Sequence, residues 1–538
     1  MFEGVIALFL LLAGAAMLKA QHASHPQASV EKPVTLLANL GTYSHRITTT
    51  NPESQRYFDQ GLRLLYGFNR YEALRSFRRA AELDPKAIKP LWGIAMALGP
   101  HINMDTDGDT NLEQSCEAVS RAREIAHTGS AYERAYVESA ASRCPAYDPD
   151  RYIQAMRRLH EQYSDDLDAA TFYADSLMTR VRWHWWDRDG APAPGTAEAV
   201  AVLEEVMRRY PDHPGANHLY IHAVEMSPSP ERAIPSAQRL MGIMPAAGHM
   251  VHMPAHIWAT LGDWQMAAGV NERAAQVDRE YFAKSGVQGV YLGYYLHNLH
   301  FVAYARGMQG RAGDAIAAAD LLARETAPAV DTMPEMADVF APYGIFARLR
   351  FGRWDEMLSF PEPSGKLLVS NSLWHWGRAI AWAAKGDGAA ASDEAELFRA
   401  GKSKIPRQWS WINNKAVDVV ALADAILQAR LSPDEKTALE SWRRAVTLQD
   451  QLHYDEPQPW YMPLRESLGG SLLRSGDASA AEAVFREGLR RSPRNGRMLF
   501  GLMRSLELQS KTEAAGFVRN EFEREWKQAD GTLRAEDL

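Results

Sequence analysis

Residues 57–85 read YFDQGLRLLYGFNRYEALRSFRRAAELDP, and the spacing within this stretch decides the fold that we expect the chain to adopt. Seven residues fall at positions 4, 8, 11, 20, 24, 27 and 32 of a 34-residue helix–turn–helix unit, namely Tyr57, Gly61, Leu64, Ala73, Phe77, Ala80 and Pro85. The small residues at positions 8 and 20 let two antiparallel helices approach closely, and the ring at position 24 packs between them. Proline then ends the second helix. The stretch therefore predicts one helical hairpin of a repeat array.

The same pattern returns near the other end of the chain. The matching residues there are Leu468, Gly469, Leu472, Ala481, Phe485 and Pro493. Degenerate helical hairpins fill the interval, and no segment alternates polar and apolar residues with the period of two that is typical of strands. A unit of 34 residues has the length of a tetratricopeptide repeat. We therefore expect an all-α protein, a superhelical solenoid of antiparallel helix pairs of the tetratricopeptide (TPR) type.

The length of 538 residues exceeds what one compact core accommodates, so an array or several domains is expected. The proline-containing loop from Phe360 to Gly365 is the predicted joint. It would separate an N-terminal array, residues 46–360, from a C-terminal array, residues 361–538.

The first residues of the chain are typical of an export signal. An apolar run of 14 residues from Val5 to Leu18 is short for a membrane span and fits the core of a signal peptide. We expect a signal peptide over residues 1–20 and a flexible leader over residues 21–45, rich in Ser, His, Gln and Pro. The mature protein would then lie in the bacterial periplasm without a stable membrane span. Because Glu3 precedes the run where basic residues are usual, a short hydrophobic anchor is the alternative.

The chain has two cysteines, Cys116 and Cys144, on two predicted antiparallel helices joined by a turn at residues 127–130. Their spacing leaves a disulfide geometrically reachable, which an exported protein would favour. Two buried, unbridged thiols are the alternative.

Histidine is concentrated in one segment, which carries seven of the chain's 17 histidines. These are His218, His222, His249, His252, His256, His297 and His300. His218 and His252 are 34 residues apart, so they share one repeat position, and the same holds for His222 and His256. Residues four apart lie on one helix face, and neighbouring first helices lie roughly 8–10 Å apart. The register therefore predicts that several of these imidazoles converge on a transition-metal ion in the groove.

Imidazole ligands suit zinc, copper, iron or nickel, and copper and zinc are the cofactors that we expect first. Met250 and Met253 would add soft ligands for copper, or they pack in the core. Glu225 lies on the same helix face as His222, so it is a candidate carboxylate ligand or general base. Pro254 is tolerated only in the first turn of a helix, which predicts that a new helix begins near Met253.

Several function classes are excluded or disfavoured. The pairs of histidines lack the following glutamate of the His-Glu-x-x-His metalloprotease motif, and neither a phosphate-binding glycine loop nor a Gly-x-Ser-x-Gly elbow is present. A net charge of −8 offers no basic surface for nucleic acid. Aromatic residues at 183–186 and 291–295 line a pocket or pack between repeats, and a loop with His101, Asn103 and Asp105 is a candidate rim contact.

Several segments resemble a widespread bacterial family of exported tetratricopeptide-repeat proteins. They are residues 57–62, 92–95, 215–218, 221–225 and 248–249, together with His252-Met253-Pro254 and His256. The resemblance extends roughly from Gly41 to Ala400 and implies the helical scaffold and the histidine segment without implying a reaction. The tetratricopeptide class implies binding of peptides or partner proteins. The Lys and Asn that usually clamp a peptide carboxylate at positions 5 and 9 are His here, so that mode of binding is not expected.

Three hypotheses follow. The first is an exported solenoid whose groove histidines hold a transition metal for metal handling or metal-dependent chemistry. The second is a metal-free scaffold that binds a peptide or protein through hydrogen bonds and stacking. The third is a metal-dependent enzyme in which Glu225 is the general base and the region of Trp183 forms a pocket wall.

Overall fold

The structure is a computed structural model that describes residues 32–104, 110–286 and 289–538, apart from the side chain of Val290. The expected signal peptide, residues 21–31 of the expected leader, and Asp105 lie outside the described residues. Within the described residues, no helix combines the length and the apolar character that crossing a membrane requires.

The described chain is helical almost throughout. The N-terminal helices are α1 (Pro52–Tyr66), α2 (Arg70–Leu83), α3 (Ile88–Leu98), α4 (Leu112–Glu124), α5 (Ala131–Ala141), α6 (Pro149–Gln162), α7 (Leu167–Arg180), α8 (Thr196–Arg209), α9 (Pro214–Glu225), α10 (Ile234–Ile243), α11 (Gly248–His252), α12 (Pro254–Thr260) and α13 (Trp264–Ser285). They continue as α14 (Leu292–Met308), α15 (Ala312–Thr326), α16 (Pro334–Phe340), α17 (Tyr343–Arg350), α18 (Trp354–Leu358), α19 (Leu368–Ala384), α20 (Gly388–Lys402), α21 (Ala416–Arg430), α22 (Glu435–Gln451), α23 (Arg465–Arg474), α24 (Ala478–Arg491), α25 (Gly496–Leu508) and α26 (Thr512–Glu525). Single 3₁₀ turns span Ala126–Thr128, Pro230–Ala233, Gly289–Tyr291, Ala327–Ala329 and Ala535–Asp537.

Helices that are consecutive in the chain pack against each other along most of the array, and their short connections make them antiparallel neighbours. The expected all-α, TPR-like solenoid of helix pairs is confirmed. The strands of the described residues are β1 (Ser410–Trp411) and β2 (Asn414–Lys415), an antiparallel pair in the connection between α20 and α21. Two residues per strand are too few to leave a period-two pattern in the sequence.

One aromatic ring and two glycines explain the repeat at each end of the array. Phe77 on α2 lies between Gly61 on α1 and Gly93 on α3, and a Cβ atom added at either glycine would collide with its ring. Phe485 on α24 is held in the same way by Gly469 on α23 and Gly501 on α25. The ring therefore joins one repeat to the next, since the two glycines belong to successive first helices.

Replacing Phe77 by Ala should remove this contact and lower the free energy of unfolding by about 3–5 kcal/mol, as expected for a buried Phe→Ala change. The Phe77 side chain is 0% exposed, so its removal would leave a cavity inside the protein. Phe517→Ala is the matched control because Phe517 is 71% exposed, and its effect should stay within about 0.5 kcal/mol. Urea unfolding followed by circular dichroism measures both, and equal effects would mean that Phe77 does not join the repeats.

The histidine segment contains the one interrupted first helix that Pro254 predicts. α11 ends at His252 and α12 begins at Pro254. Proline lacks a backbone N–H, but in the first turn of a helix this N–H has no partner within the helix, so no hydrogen bond is lost. The expectation of a new helix near Met253 is confirmed, and the kink lies between His252 and His256.

Cys116 on α4 and Cys144, which follows α5, are bridged by a disulfide with a Cα–Cα distance of 5.7 Å. The 3₁₀ turn at Ala126–Thr128 connects the two helices, as the sequence suggests. Of the two alternatives for the cysteines, the structure contains the bridge.

The array curls so tightly that its first repeat returns to the histidine segment. α1 packs on α9, and the ring of Tyr66 lies against Gly215, where a Cβ atom would collide with it. The hydrophobic core forms one large cluster between Leu40 and Ile257 and another between Ala275 and Leu538, with a small cluster between them. At the predicted joint after Phe360, α18 packs on α19, and Trp374 donates a hydrogen bond to the Phe360 carbonyl at 2.9 Å. The division at residue 360 stays a prediction.

Candidate metal centre

Three successive repeats bring their imidazoles into one buried cluster. His218 and His222 lie one turn apart on α9, His249 and His252 lie on α11, and His256 on α12 follows the proline kink. These five side chains are at most 3% exposed. His297 comes from α14 and lies at the partly exposed edge of the cluster.

Six of the seven imidazoles form two groups of three. The first group is His218, His222 and His249, and the second is His252, His256 and His297. Within each group one ligand nitrogen per residue lies within 4.8 Å of the others. The groups adjoin, since the ring centroids of His222 and His256 are 5.2 Å apart and those of His249 and His252 are 5.5 Å apart.

The tautomers of two histidines follow from their hydrogen-bond partners. The Nδ1 atom of His218 lies 2.6 Å from the carbonyl oxygen of Tyr66, which can only accept, so this nitrogen carries the proton. The Nδ1 atom of His252 lies 2.7 Å from Oδ1 of Asn271, whose amide nitrogen already donates to the Ala267 carbonyl. In both neutral rings the Nε2 atom therefore keeps its lone pair.

Two carboxylates lie against the Nδ1 atoms of two further histidines, His222 and His256. Nδ1 of His222 is 3.1 Å from Oε1 of Glu225, and Nδ1 of His256 contacts Oε2 of Glu225 and a carboxylate oxygen of Glu456. Glu225 thus uses one oxygen for each group of imidazoles. Histidines that bind a metal through one ring nitrogen usually donate the N–H of the other nitrogen to a carboxylate, a carbonyl oxygen or water.

The free nitrogens point at each other. Nε2 of His252 and Nε2 of His256 are 2.7 Å apart, within hydrogen-bond distance of each other. Nε2 of His218 is 3.1 Å from Nε2 of His249, and Nε2 of His222 is buried without a hydrogen-bond partner among the described residues. Two ligands of a tetrahedral zinc ion with bonds of 2.0–2.1 Å are separated by about 3.3 Å. The 3.1 Å pair has close to this spacing, whereas the 2.7 Å pair would have to separate by about 0.6 Å to bind one ion together.

Burial keeps these imidazoles neutral. It lowers the pKa of His218 and of His256 to about 3, and the pKa values of His222, His249 and His252 also fall well below the usual range because of burial and the neighbouring rings. Neutral imidazole is the form that binds metal.

The wall around the cluster is aromatic and comes from distant parts of the chain. The ring of Phe68, which follows α1, lies 4.4 Å from the ring of His218 and 5.2 Å from that of His249. Trp183, which follows α7, lies 5.4 Å from His222. Phe68 and Trp183 both have positive φ angles, of 56° and 58°, although neither is glycine. Backbone strain of this kind persists where surrounding structure enforces it, often at functional sites.

Glu456 is the part of the centre that the sequence does not reveal. It lies in the connection between α22 and α23, far from the histidines in sequence, and is buried beside Glu225 and His256. Burial raises the pKa of Glu225 well above its usual range, and the adjacent charge of Glu456 raises it further. Burial also raises the pKa of Glu456. The neighbouring Glu456 carboxyl therefore disfavours ionisation of Glu225. No repeat spacing or motif marks position 456.

His300 lies outside both groups. Its ring packs on Tyr343 with centroids 4.0 Å apart, and burial lowers its pKa to about 3. Neither ring nitrogen of His300 has a hydrogen-bond partner among the described residues. Met250 and Met253 are buried members of the N-terminal hydrophobic cluster.

The candidate rim residues reach the cluster through one tyrosine. Asn103 donates a hydrogen bond to the Tyr294 hydroxyl at 2.9 Å, and the Tyr294 ring lies 4.7 Å from that of His249. His101 is buried with its ring 5.9 Å from Phe68. The loop is therefore one layer removed from the imidazoles.

Two further groups of possible ligands occur in the described residues. One consists of Glu225, Glu456, His222 and His256. In this group the Nδ1 atoms of both histidines already contact the carboxylate of Glu225. The second is His45 with Asp166 and Asp168. There the carboxylate oxygens already accept hydrogen bonds from donors that include Tyr43, Tyr66, Tyr132, Tyr136 and His45. Because these oxygens already accept hydrogen bonds, we interpret the second group as a hydrogen-bond network that stabilises the fold. The imidazole groups differ, since Nε2 of His222 has no hydrogen-bond partner among the described residues.

No protein-family model matches the chain, and no curated protein is similar to it in sequence. Solved helical-repeat structures align over most of its length. Human IFIT1, crystallised as a dimer with m7Gppp-AAAA, has 11% identity and a TM-score of 0.32 over 89% of this chain and 91% of its own. Yeast Tom70 has 12% identity and a TM-score of 0.33, and the alignment covers 88% of this chain and 90% of Tom70. The Cut9–Hcn1 hetero-tetramer of the APC/C has 10% identity and a TM-score of 0.28, and the alignment covers 90% of this chain and 95% of the other. At these values, none of the three says what this chain binds.

Proposed function

We propose that the protein is an exported metal-binding solenoid that holds two transition-metal ions, one in each group of three imidazoles. The observation that carries the proposal is the convergence of one ligand nitrogen each from His252, His256 and His297, all within 4.8 Å of one another, beside the matching group of His218, His222 and His249. The Nε2 atoms of His252 and His256 lie within hydrogen-bond distance of each other at 2.7 Å, and a metal ion would replace the proton between them. Three nitrogen donors per ion suit copper or zinc, with a further position open to water or another ligand.

The surrounding residues have defined parts in this proposal. Tyr66, Asn271, Glu225 and Glu456 hold the ring protons on Nδ1 and so direct each Nε2 atom inward. The aromatic wall excludes water, which strengthens electrostatic binding. A bound ion would act as a Lewis acid at its open position. Since both oxygens of Glu225 already contact imidazoles, the geometry favours a positioning role for this residue over that of a free general base.

Export to the bacterial periplasm belongs to the proposal. It is supported by the apolar run at residues 5–18 and by the Cys116–Cys144 bridge, because disulfides persist in oxidising compartments. Metal handling or metal-dependent chemistry would then take place outside the cytoplasm.

Metal analysis of the full chain, purified without a histidine tag from medium supplied with copper and zinc, tests the proposal. We expect about two equivalents of bound metal per chain, because buried sites with three imidazoles retain their ions during purification. Less than about a tenth of an equivalent, also after reconstitution with either ion, would contradict it. The protein would then be a metal-free scaffold for a peptide or protein partner, which is the second candidate and is supported by the TPR-like fold alone.

A further inference from the structure

A second, separate cavity lies in the C-terminal half of the array, and we infer that it binds an organic anion with an apolar body. The cavity has a volume of about 460 Å³ and lies among α17, α21, α23 and residues 530–537. Volumes of roughly 300–1,000 Å³ are typical of small-molecule sites. None of the seven candidate metal ligands lines it, so the inference is independent of the metal centre.

Two buried arginines at the cavity share one carboxylate. Arg350 is 3.2 Å and Arg497 is 3.2 Å from Oε2 of Glu466, and Asn495 also donates to this carboxylate. All three charged side chains are less than a tenth exposed. The Glu466 carboxylate is therefore shared by two guanidiniums, and the charge of Asp537 also acts on Arg497.

Arg430 adds a third guanidinium. It lines the cavity and lies over the Trp442 ring at 5.2 Å, and part of the residue is exposed to solvent. The charge of Glu435 also acts on this guanidinium. The pKa of Arg497 is lowered to about 10, mainly by burial and with a contribution from the charges of Arg350 and Arg430, while the carboxylates of Glu466 and Asp537 oppose this shift. The full lining has five arginines, Arg350, Arg353, Arg430, Arg497 and Arg534, against the carboxylates of Asp530, Glu536 and Asp537. With Glu466 beside Arg350 and Arg497, one positive charge remains that an anionic ligand would neutralise.

The cavity also has surfaces for the remainder of such a ligand. Trp354, Trp376 and Trp442 supply apolar area, and Tyr461 lies beside the three guanidiniums. The hydroxyl of Ser467 lines the cavity and is buried without a hydrogen-bond partner among the described residues. A fully buried polar atom without a partner is uncommon and is consistent with a ligand contact.

These features define the ligand by its chemistry. The planar guanidinium fork matches a carboxylate, sulfonate or phosphate group. The tryptophans match an aromatic or aliphatic body attached to that group. A neutral molecule of the same shape would leave the guanidiniums uncompensated and should bind more weakly.

Two fluorescent probes test the inference in the full chain. Anilinonaphthalene sulfonate carries the anion, and N-phenylnaphthylamine has a similar body without the charge. We expect one saturable site for the sulfonate, with affinity at least about tenfold higher than that of the neutral probe, because hydrogen bonds to charged groups are stronger than those to neutral groups. Arg430→Gln should weaken sulfonate binding about tenfold and leave the neutral probe unaffected. Arg444→Gln, an exposed arginine on the helix that carries Trp442, is the matched control.

Equal sulfonate affinity in the Arg430→Gln and Arg444→Gln variants would overturn the inference, as would equal losses for both probes. A competition experiment on the unaltered protein gives an answer that does not depend on folding of a variant. Benzoate should displace the sulfonate probe, and benzyl alcohol at the same concentration should not. Displacement by both to the same extent would show an apolar cavity without anion recognition.

Discussion

The variant His222→Asn/His256→Asn should lose bound metal almost completely, from about two equivalents per chain to below about a tenth. Each substitution removes one Nε2 ligand, one from each group. Asparagine is chosen because its amide nitrogen can still donate to Glu225, where the Nδ1 atoms of both histidines now contact that carboxylate. The buried hydrogen bonds are thereby kept while the ligand atoms are removed. Metal content by mass spectrometry and the thermal unfolding midpoint are measured together.

The control for this variant is His300→Asn. His300 is a buried imidazole of the same segment, but it packs on Tyr343 outside both groups. It should therefore keep the full metal content even though a buried side chain is lost. If His300→Asn and the double variant lose the same amount of metal, then loss of packing explains the result and the two groups are not the binding sites.

Replacing Glu225 by Ala should weaken both metal sites, by about 10–100-fold each, because outer-shell partners of metal ligands typically contribute that much. Glu225 is the residue that holds His222 in one group and His256 in the other. Without it, both Nδ1 atoms lose an acceptor, and the rings are free to move the proton to Nε2. Stepwise titration of metal-free protein with copper or zinc, monitored by calorimetry, resolves the two affinities.

Glu456→Ala provides the comparison within the same carboxyl pair. Glu456 contacts His256 and hydrogen-bonds to Glu225. Among the described residues it forms no ion pair with His218, His222 or His249. We expect a loss at one site that exceeds the loss at the other, unlike the double loss in Glu225→Ala. Two equal losses in Glu456→Ala, or a single loss in Glu225→Ala, would contradict the assignment of Glu225 as the link between the sites.

The helical array was predictable because its repeat contacts are local. Gly61 and Phe77 meet within one hairpin, and Gly93 follows one repeat later, so the spacing of small and aromatic residues records the packing. The helix boundary at Pro254 was predictable for a similar reason, since proline acts on its own helix. A two-residue strand such as β1 leaves no such record.

The candidate site was only partly predictable. Repeat register placed His218, His222, His252 and His256 on facing helices, and six of the seven histidines do lie together. The positions of His300 and Glu456 were not accessible in this way. His300 lies one turn from His297 yet contacts Tyr343, and Glu456 reaches the cluster through long-range curvature of the solenoid. Curvature arises from many small rotations between repeats, which no short motif encodes.

The closure of α1 and of the loop with Glu456 over the imidazoles has a kinetic consequence. A cation enclosed in this way exchanges with solvent only when these covering segments separate, so its residence time is set by local opening of the protein rather than by bond strength alone. The segment with Glu456 follows all seven histidines in the chain, so the enclosure is complete only after residue 456 has been synthesised. A bound ion would therefore be released slowly.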